Sequence, residues 1–252
     1  MITQRDHPAS LLCSNTPLQY PAPSKSAQAP SPSPLTKPPY QAPYPRSLAQ
    51  LPHPFLVLPG FFPFAIPMPN IPTAPTVLLL PGWLGSGPGH WQTRWETVHG
   101  ALRVEQHEWL WPRRGDWAAR LDDVVQDQPG PLLLAAHSLG CHLVAAWAAH
   151  SAHTARVCGA LLVAPPDLDR DDTPPQLLPW RPVHRQRLPF VAHVAFSSND
   201  PFSRPERTLE LAQDWGATTS AMGAAGHVNA ESGLGDWPLG WTWLQALGLS
   251  VP

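Results

Sequence analysis

Three side chains in this sequence carry the chemistry of nucleophilic catalysis and follow one another in a workable order: Ser138, Asp200 and His227. Ser138 lies in Ala136-His137-Ser138-Leu139-Gly140, a small-x-Ser-x-Gly pattern. An apolar run, Leu132-Leu133-Leu134-Ala135, precedes it, and an apolar helical stretch, His142 to Trp147, follows. That context reads as a sharp strand-to-helix turn, with small residues where neighbouring backbones must pass closely. A serine hydroxyl is a poor nucleophile until a base takes its proton, and imidazole is suited to that near neutral pH. His227 supplies one in a small-residue loop, Gly223-Ala224-Ala225-Gly226-His227-Val228-Asn229. Asp200 lies just past an apolar run in Ser197-Ser198-Asn199-Asp200-Pro201. Its carboxylate could fix the imidazole tautomer and stabilise the imidazolium that forms. The separations, 62 residues from Ser138 to Asp200 and 27 from Asp200 to His227, leave room for intervening strand–helix units.

Each of these residues has a plainer reading. Serine is favoured as a helix N-cap for its own hydrogen bonding, and Ser138 stands where a helix begins. Asp167, with Asp169, Asp171 and Asp172 close by, competes as the acid. Asp200 is preferred because its strand is the last before the histidine unit, and the Asp-rich loop then reads as a solvated rim or lid. Twelve histidines make any one a weak signal, and His90, His137, His142 and His193 read as structural, paired with backbone or water.

Acyl transfer also needs donors aimed at the developing oxyanion. The backbone N–H of Leu139 is one candidate. The N–H of Trp83 is the other, in the glycine-rich stretch Leu80-Pro81-Gly82-Trp83-Leu84-Gly85-Ser86-Gly87-Pro88. No Gly-Lys-Ser/Thr follows that stretch, so a phosphate-binding loop is the weaker reading. Trp83, Trp91, Trp111 and Trp180 are candidate walls for an apolar acyl or leaving group.

The elements that must position these groups alternate. Apolar runs at Thr76–Leu80, Pro131–Ala135, Ala160–Ala164 and Val191–Phe196 read as strands, as does a segment near Arg103–His107, with a weaker strand at Ala217–Met222. Helical spacing falls at His90–His99, Gly115–Gln126, from His142 on, Arg204–Trp215 and Asp236–Ala246. Buried strands separated by helices imply a doubly wound, mostly parallel α/β sheet of about six strands with helices on both faces.

Composition divides the chain near residue 70. All 12 tryptophans lie at or beyond Trp83, whereas 19 of the 35 prolines precede Val77. Residues 1–70 are therefore expected to be a disordered, Pro-rich extension with polyproline II character, and 71–252 the folded domain. The apolar run Phe55–Ile66 is too short and too broken by Pro59, Gly60 and Pro63 to span a membrane or serve as a signal. Met68 sits at the boundary and is a candidate for the biological start. A net charge of −2 with 13% charged residues offers no basic face for nucleic acid or an anionic membrane. Three unpaired cysteines, Cys13, Cys141 and Cys158, suit a reducing, cytoplasmic setting rather than a disulfide framework.

Four separated segments carry a family resemblance: Pro81-Gly82-Trp83, continuing through Ser86-Gly87-Pro88-Gly89-His90-Trp91-Gln92-Thr93-Arg94-Trp95-Glu96; His137-Ser138-Leu139-Gly140-Cys141; Ser197 to Phe202; and Gly226 to Gly233. In this order, over residues 76–247, they resemble the YdeN/retinoblastoma-binding-protein-9-like serine hydrolases, departing where Ala136 replaces a glycine. The resemblance implies a compact α/β-hydrolase without a large cap, the Ser138–His227–Asp200 triad, and small esters or amides as substrates. Neither a cofactor nor a metal is called for. The competing expectation is a binding protein on the same fold. A dinucleotide-dependent enzyme lacks its Gly-x-Gly-x-x-Gly turn.

Overall fold

The computed structural model describes residues 74–249. The expectations for the Pro-rich extension and for Met68 lie outside them. Six strands form one parallel sheet in the order β2-β1-β3-β4-β5-β6. They are β1 (Thr76–Leu80), β2 (Leu102–Arg103), β3 (Leu132–His137), β4 (Val157–Val163), β5 (Val191–Phe196) and β6 (Thr218–Ala221). The helices are α1 (Trp91–His99), α2 (Arg114–Asp127), α3 (Leu139–Ala148), α4 (Pro205–Trp215) and α5 (Pro238–Gly248).

The period-two alternation of the strands builds a core on each face of the sheet. Leu78, Leu80, Leu132, Leu134 and Ala136 join Trp117, Leu121, Val125, Val144, Trp147, Leu211 and Trp215, so α2, α3 and α4 cover one face. Val77, Leu79, Leu133 and Ala135 join Trp91, Trp95 and Leu244, which places α1 and α5 on the other. Strand β3 is buried along its whole length, as a central parallel strand must be.

Three expectations change in detail. The strand foreseen at Arg103–His107 is only Leu102–Arg103, an edge strand that leaves the sheet after Val104 donates to Leu79 O. Strand β4 starts at Val157, ahead of the apolar run, because Gly159 is no breaker here. A Cβ on it would lie 2.6 Å from Leu247 Cβ, so the glycine lets α5 pack down on the sheet. The Asp-rich loop exposes Asp169, Asp171 and Asp172 to solvent but is anchored from beneath. Leu168, Leu177, Trp180 and Leu188 anchor it in the core, and Asp167 and Asp169 both pair with Arg207 on α4.

The sharpest packing constraint is at Gly140. A Cβ there would enter the van der Waals shell of the Leu80 carbonyl oxygen and lie 3.0 Å from Pro81 O. We expect Gly140→Ala to destabilise the protein by about 3 kcal/mol, since neither backbone can yield. Gly100→Ala, at φ 66° but with nothing within 4 Å, should cost only about 1 kcal/mol. Urea unfolding of the two variants separates a close approach from mere conformational preference.

Candidate active site

At the carboxyl end of β3 the chain turns into α3 through Ser138, at φ 54° and ψ −123°, a region nearly closed to residues with a Cβ. Ser138 stands at the N-cap position yet makes no capping bond. Its Oγ lies 2.9 Å from His227 Nε2 instead. The Nδ1 of the same ring is 3.0 and 2.9 Å from the two Asp200 oxygens. A carboxylate can only accept, so Nδ1 carries the proton and Nε2 presents its lone pair to the serine hydroxyl. Asp200 and His227 are almost wholly buried, with side chains 4% and 10% exposed. Asp167, the competing acid, takes the Nε–H of Arg207 at 3.1 Å and the N–H of Asp169 instead.

The three groups come from different parts of the fold. Asp200 follows β5, and its Oδ1 accepts the Phe202 N–H at 2.9 Å, which fixes the carboxylate in the turn. The Phe202 ring packs edge-on to the His227 imidazole at 4.6 Å. His227 has no regular element around it and is held by its backbone. His137 Nε2–H donates to His227 O at 2.9 Å, and Trp91 Nε1–H to Val228 O at 2.9 Å. Asn199 Oδ1 accepts from Gly226 N at 2.7 Å, and Ser197 Oγ from Ala225 N at 2.9 Å. Ser232 Oγ closes the loop onto Ala225 O at 2.6 Å. Ser197, Asn199 and Ser232 lay within the resembling segments, but no pattern of residue types marks a side chain as a clamp on a distant backbone.

The loop after β1 is riveted in the same way. Fully buried Gln92 donates to Leu80 O at 3.1 Å and Ala135 O at 2.9 Å, joining the ends of β1 and β3. Arg103 reaches Ser86 O at 2.9 Å and Thr93 Oγ1 at 2.7 Å, and it also pairs with Glu96. The Gly82–Trp83 peptide thereby rests against the serine: a Cβ at Gly82 would sit 2.7 Å from Ser138 Cβ. The N–H of Leu139 opens α3, where no intrahelical carbonyl can reach it.

A cleft of about 250 Å³ contains Ser138 and His227, with Gly82, Trp83, His90, Asn229 and Glu231 among its walls. Of the four candidate tryptophans, Trp83 lines it. Trp91 and Trp180 do not, because both are 1% exposed and belong to the core. Their indole N–H groups are spent on Val228 O and on Pro112 O, the latter at 2.9 Å. Trp111 lies outside the cleft and is exposed. Among the described residues no cluster of His, Cys, Asp and Glu could hold a metal ion.

Three imidazoles are buried and held neutral, His90 and His137 beside this chemistry and His142 against Pro166 and Trp215. Burial first, then the nearby Arg103 charge, lowers His90 to about 3. Its Nδ1 accepts the Gln92 N–H at 3.1 Å, which leaves the proton on Nε2, without an acceptor among the described residues. Burial lowers His142 to about 4 and takes His137 well below its ordinary value. Each is neutral in the folded protein and takes a proton near pH 6.5 once unfolded, at roughly the ordinary histidine value. The unfolded chain therefore holds more protons in the window below that, and stability must fall as the pH falls. Urea unfolding between about pH 6 and pH 4.5 should lose about 1.4 kcal/mol per pH unit for each such histidine. A flat profile would contradict the neutral assignment.

A sequence model of the family described as serine hydrolase matches residues 77–246 of this chain. The crystal structure of a putative YdeN-like hydrolase from Pectobacterium atrosepticum is similar at a TM-score of 0.59 and 28% identity, over 70% of this chain and 92% of that one. The ydeN gene product of Bacillus subtilis aligns at a TM-score of 0.54 and 19% identity, over 69% and 98%. A thermophilic esterase from Thermogutta terrifontis shares the fold at a TM-score of 0.51 and 15% identity, over 69% and 90%. No curated protein matches the chain.

Proposed function

We propose, for a chain that belongs to the serine hydrolase family, the hydrolysis of small carboxylic esters or amides through an acyl-enzyme on Ser138. The observation that carries this reading is the continuous line of Ser138 Oγ, His227 Nε2, His227 Nδ1 and Asp200 at hydrogen-bond distances of 2.9–3.0 Å. As the Ser138 oxygen attacks the substrate carbonyl, its proton passes to His227 Nε2, and the imidazolium is stabilised by the Asp200 carboxylate. The N–H of Leu139 and that of Trp83 hold the oxyanion, the first with the help of the α3 dipole. Collapse of the tetrahedral adduct breaks the bond to the leaving group, which takes the proton from His227. Water then repeats the sequence on the acyl-enzyme, with His227 again as base, and frees the acid and Ser138.

Neutral His137 suits its place beside His227. It holds the backbone carbonyl of the base without adding a positive charge next to a ring that must become cationic. No helix among the described residues is long and apolar enough to cross a membrane, and the cleft of about 250 Å³ admits the reacting end of a small substrate.

A fluorophosphonate probe tests the reading directly. Wild-type protein should label, and labelling should vanish in Ser138→Ala and His227→Ala. Asp200→Asn should slow ester hydrolysis by about 10⁴-fold, because an amide can donate to Nδ1 and so favour the wrong tautomer. Gly82→Ala, whose Cβ would press on Ser138, should lower kcat by about a hundredfold by displacing one oxyanion donor. A folded wild type that does not label would turn the reading toward a binding protein.

A further inference from the structure

Two loops beside the Ser138 cleft hold large apolar side chains out in water. We infer that they form the subsite for an apolar chain of the substrate, such as the acyl chain of a medium-length ester. The side chains are Leu84, 60% exposed, on the loop after β1, and Leu110 and Trp111, 53% and 56% exposed, on the loop between β2 and α2. Single exposed leucines need no explanation, but neighbouring ones on linked loops beside a cleft do.

Neither loop is slack. Leu84 is held at φ 68°, a left-handed conformation that leucine rarely adopts, next to Gly85 at φ 78°. Leu110 and Trp111 sit on a turn closed by Glu108, whose Oε1 accepts the Leu110 N–H at 2.6 Å and the Trp111 N–H at 3.1 Å. The Glu108 charge is thereby directed at backbone donors. Trp83 ties the two loops together through Nε1–H to Leu110 O at 3.0 Å. Trp109 packs beneath, its ring 3.9 Å from where a Gly85 Cβ would stand.

Continuity with the nucleophile identifies the occupant. Trp83 is a wall of the cleft that holds Ser138, and its indole N–H reaches the Leu110 carbonyl, so the loop that carries Leu110 and Trp111 is joined to that wall. Asn229 and Glu231 line the cleft as well and give it polar surface. The cleft, about 250 Å³, falls below the roughly 300–1,000 Å³ usual for ligand pockets. Any chain beyond a short acyl group must therefore leave it, and the exposed apolar side chains offer the favourable way out.

This inference rests on the proposed reaction, and one series tests both. We would measure kcat/KM on p-nitrophenyl esters from acetyl to decanoyl, alongside probe labelling of Ser138. The octanoyl-to-acetyl ratio should exceed about ten in the wild type and fall about tenfold in Trp111→Ala and in Leu84→Gly, on the scale of contacts in a hydrophobic site. Leu84→Gly suits the left-handed backbone, so lost folding would not be the cause. Val98→Ser, an exposed position near the far end of α1, should leave the ratio alone. A flat chain-length profile with Ser138 labelled, or a ratio unmoved by both variants, would overturn the subsite alone. Failure of both labelling and hydrolysis would overturn the reaction as well. A concentration-dependent dimer that Trp111→Ala dissociates would assign the patch to a second copy of the chain and overturn the subsite.

Discussion

Helix α3 meets the end of β1 at Gly140, and the rest of the site depends on that approach. With no Cβ between them, the first turn of α3 rests on the Leu80 and Pro81 carbonyls. The chain must then reverse within one residue, and Ser138 takes the strain of about 1–3 kcal/mol that such a conformation stores. The sheet around it bears that cost: Ser138 N donates to Val163 O, and Cys141 N returns to Ser138 O, both at 2.9 Å. The strained backbone aims Oγ away from the free N–H groups of its own helix and toward His227. Gln92 secures the same corner from the other side by joining the ends of β1 and β3.

His227 is positioned by a different strategy. Its loop contains Gly226 and Val228 at positive φ, 60° and 52°, and no regular element of its own until the short turn at Ala230–Ser232. What it lacks in internal ladder it gains from side chains elsewhere, through backbone atoms of consecutive residues. Trp91 reaches in from α1, His137 from β3, and Ser197 and Asn199 from the turn after β5. Mobile-looking loops can carry reactive groups on a rigid scaffold when bonds of this kind remove their freedom. The indole of Trp91 thus serves the site from within the core.

Burial also sets the electrostatics. His90, His137 and His142 stay neutral because the cost of bringing a charge out of water exceeds what their hydrogen bonds return. Cys141 follows the same rule: burial, the largest cause, pushes its thiol up and out of the range in which it could ionise, so it is a packing residue rather than a nucleophile. Behind His227 stands the Asp200 carboxylate, and Glu231 adds a second acidic side chain to the cleft wall.

The residue pattern by itself determined the order and the type of the elements. A short apolar run such as Leu132–Ala135, closed by Gly130 and Pro131 on one side, reads as a buried strand, and the spacing of Trp117, Leu121 and Val125 reads as the core face of a helix. It also determined Ser138, Asp200 and His227 as candidates, because the elbow and the two following loops leave local signatures in residue size. Only the tertiary structure separates Asp200 from Asp167, which look alike along the chain and differ in meeting an imidazole or an arginine. It alone placed Trp91 and Trp180 in the core, Trp83 in the cleft and Trp111 in water. It alone revealed the clamps made by Gln92, Ser197 and Asn199. Periodicity records which side of an element is apolar, a local property of the chain. Which distant backbone atom a side chain meets is set by how the elements pack, and no local pattern encodes it.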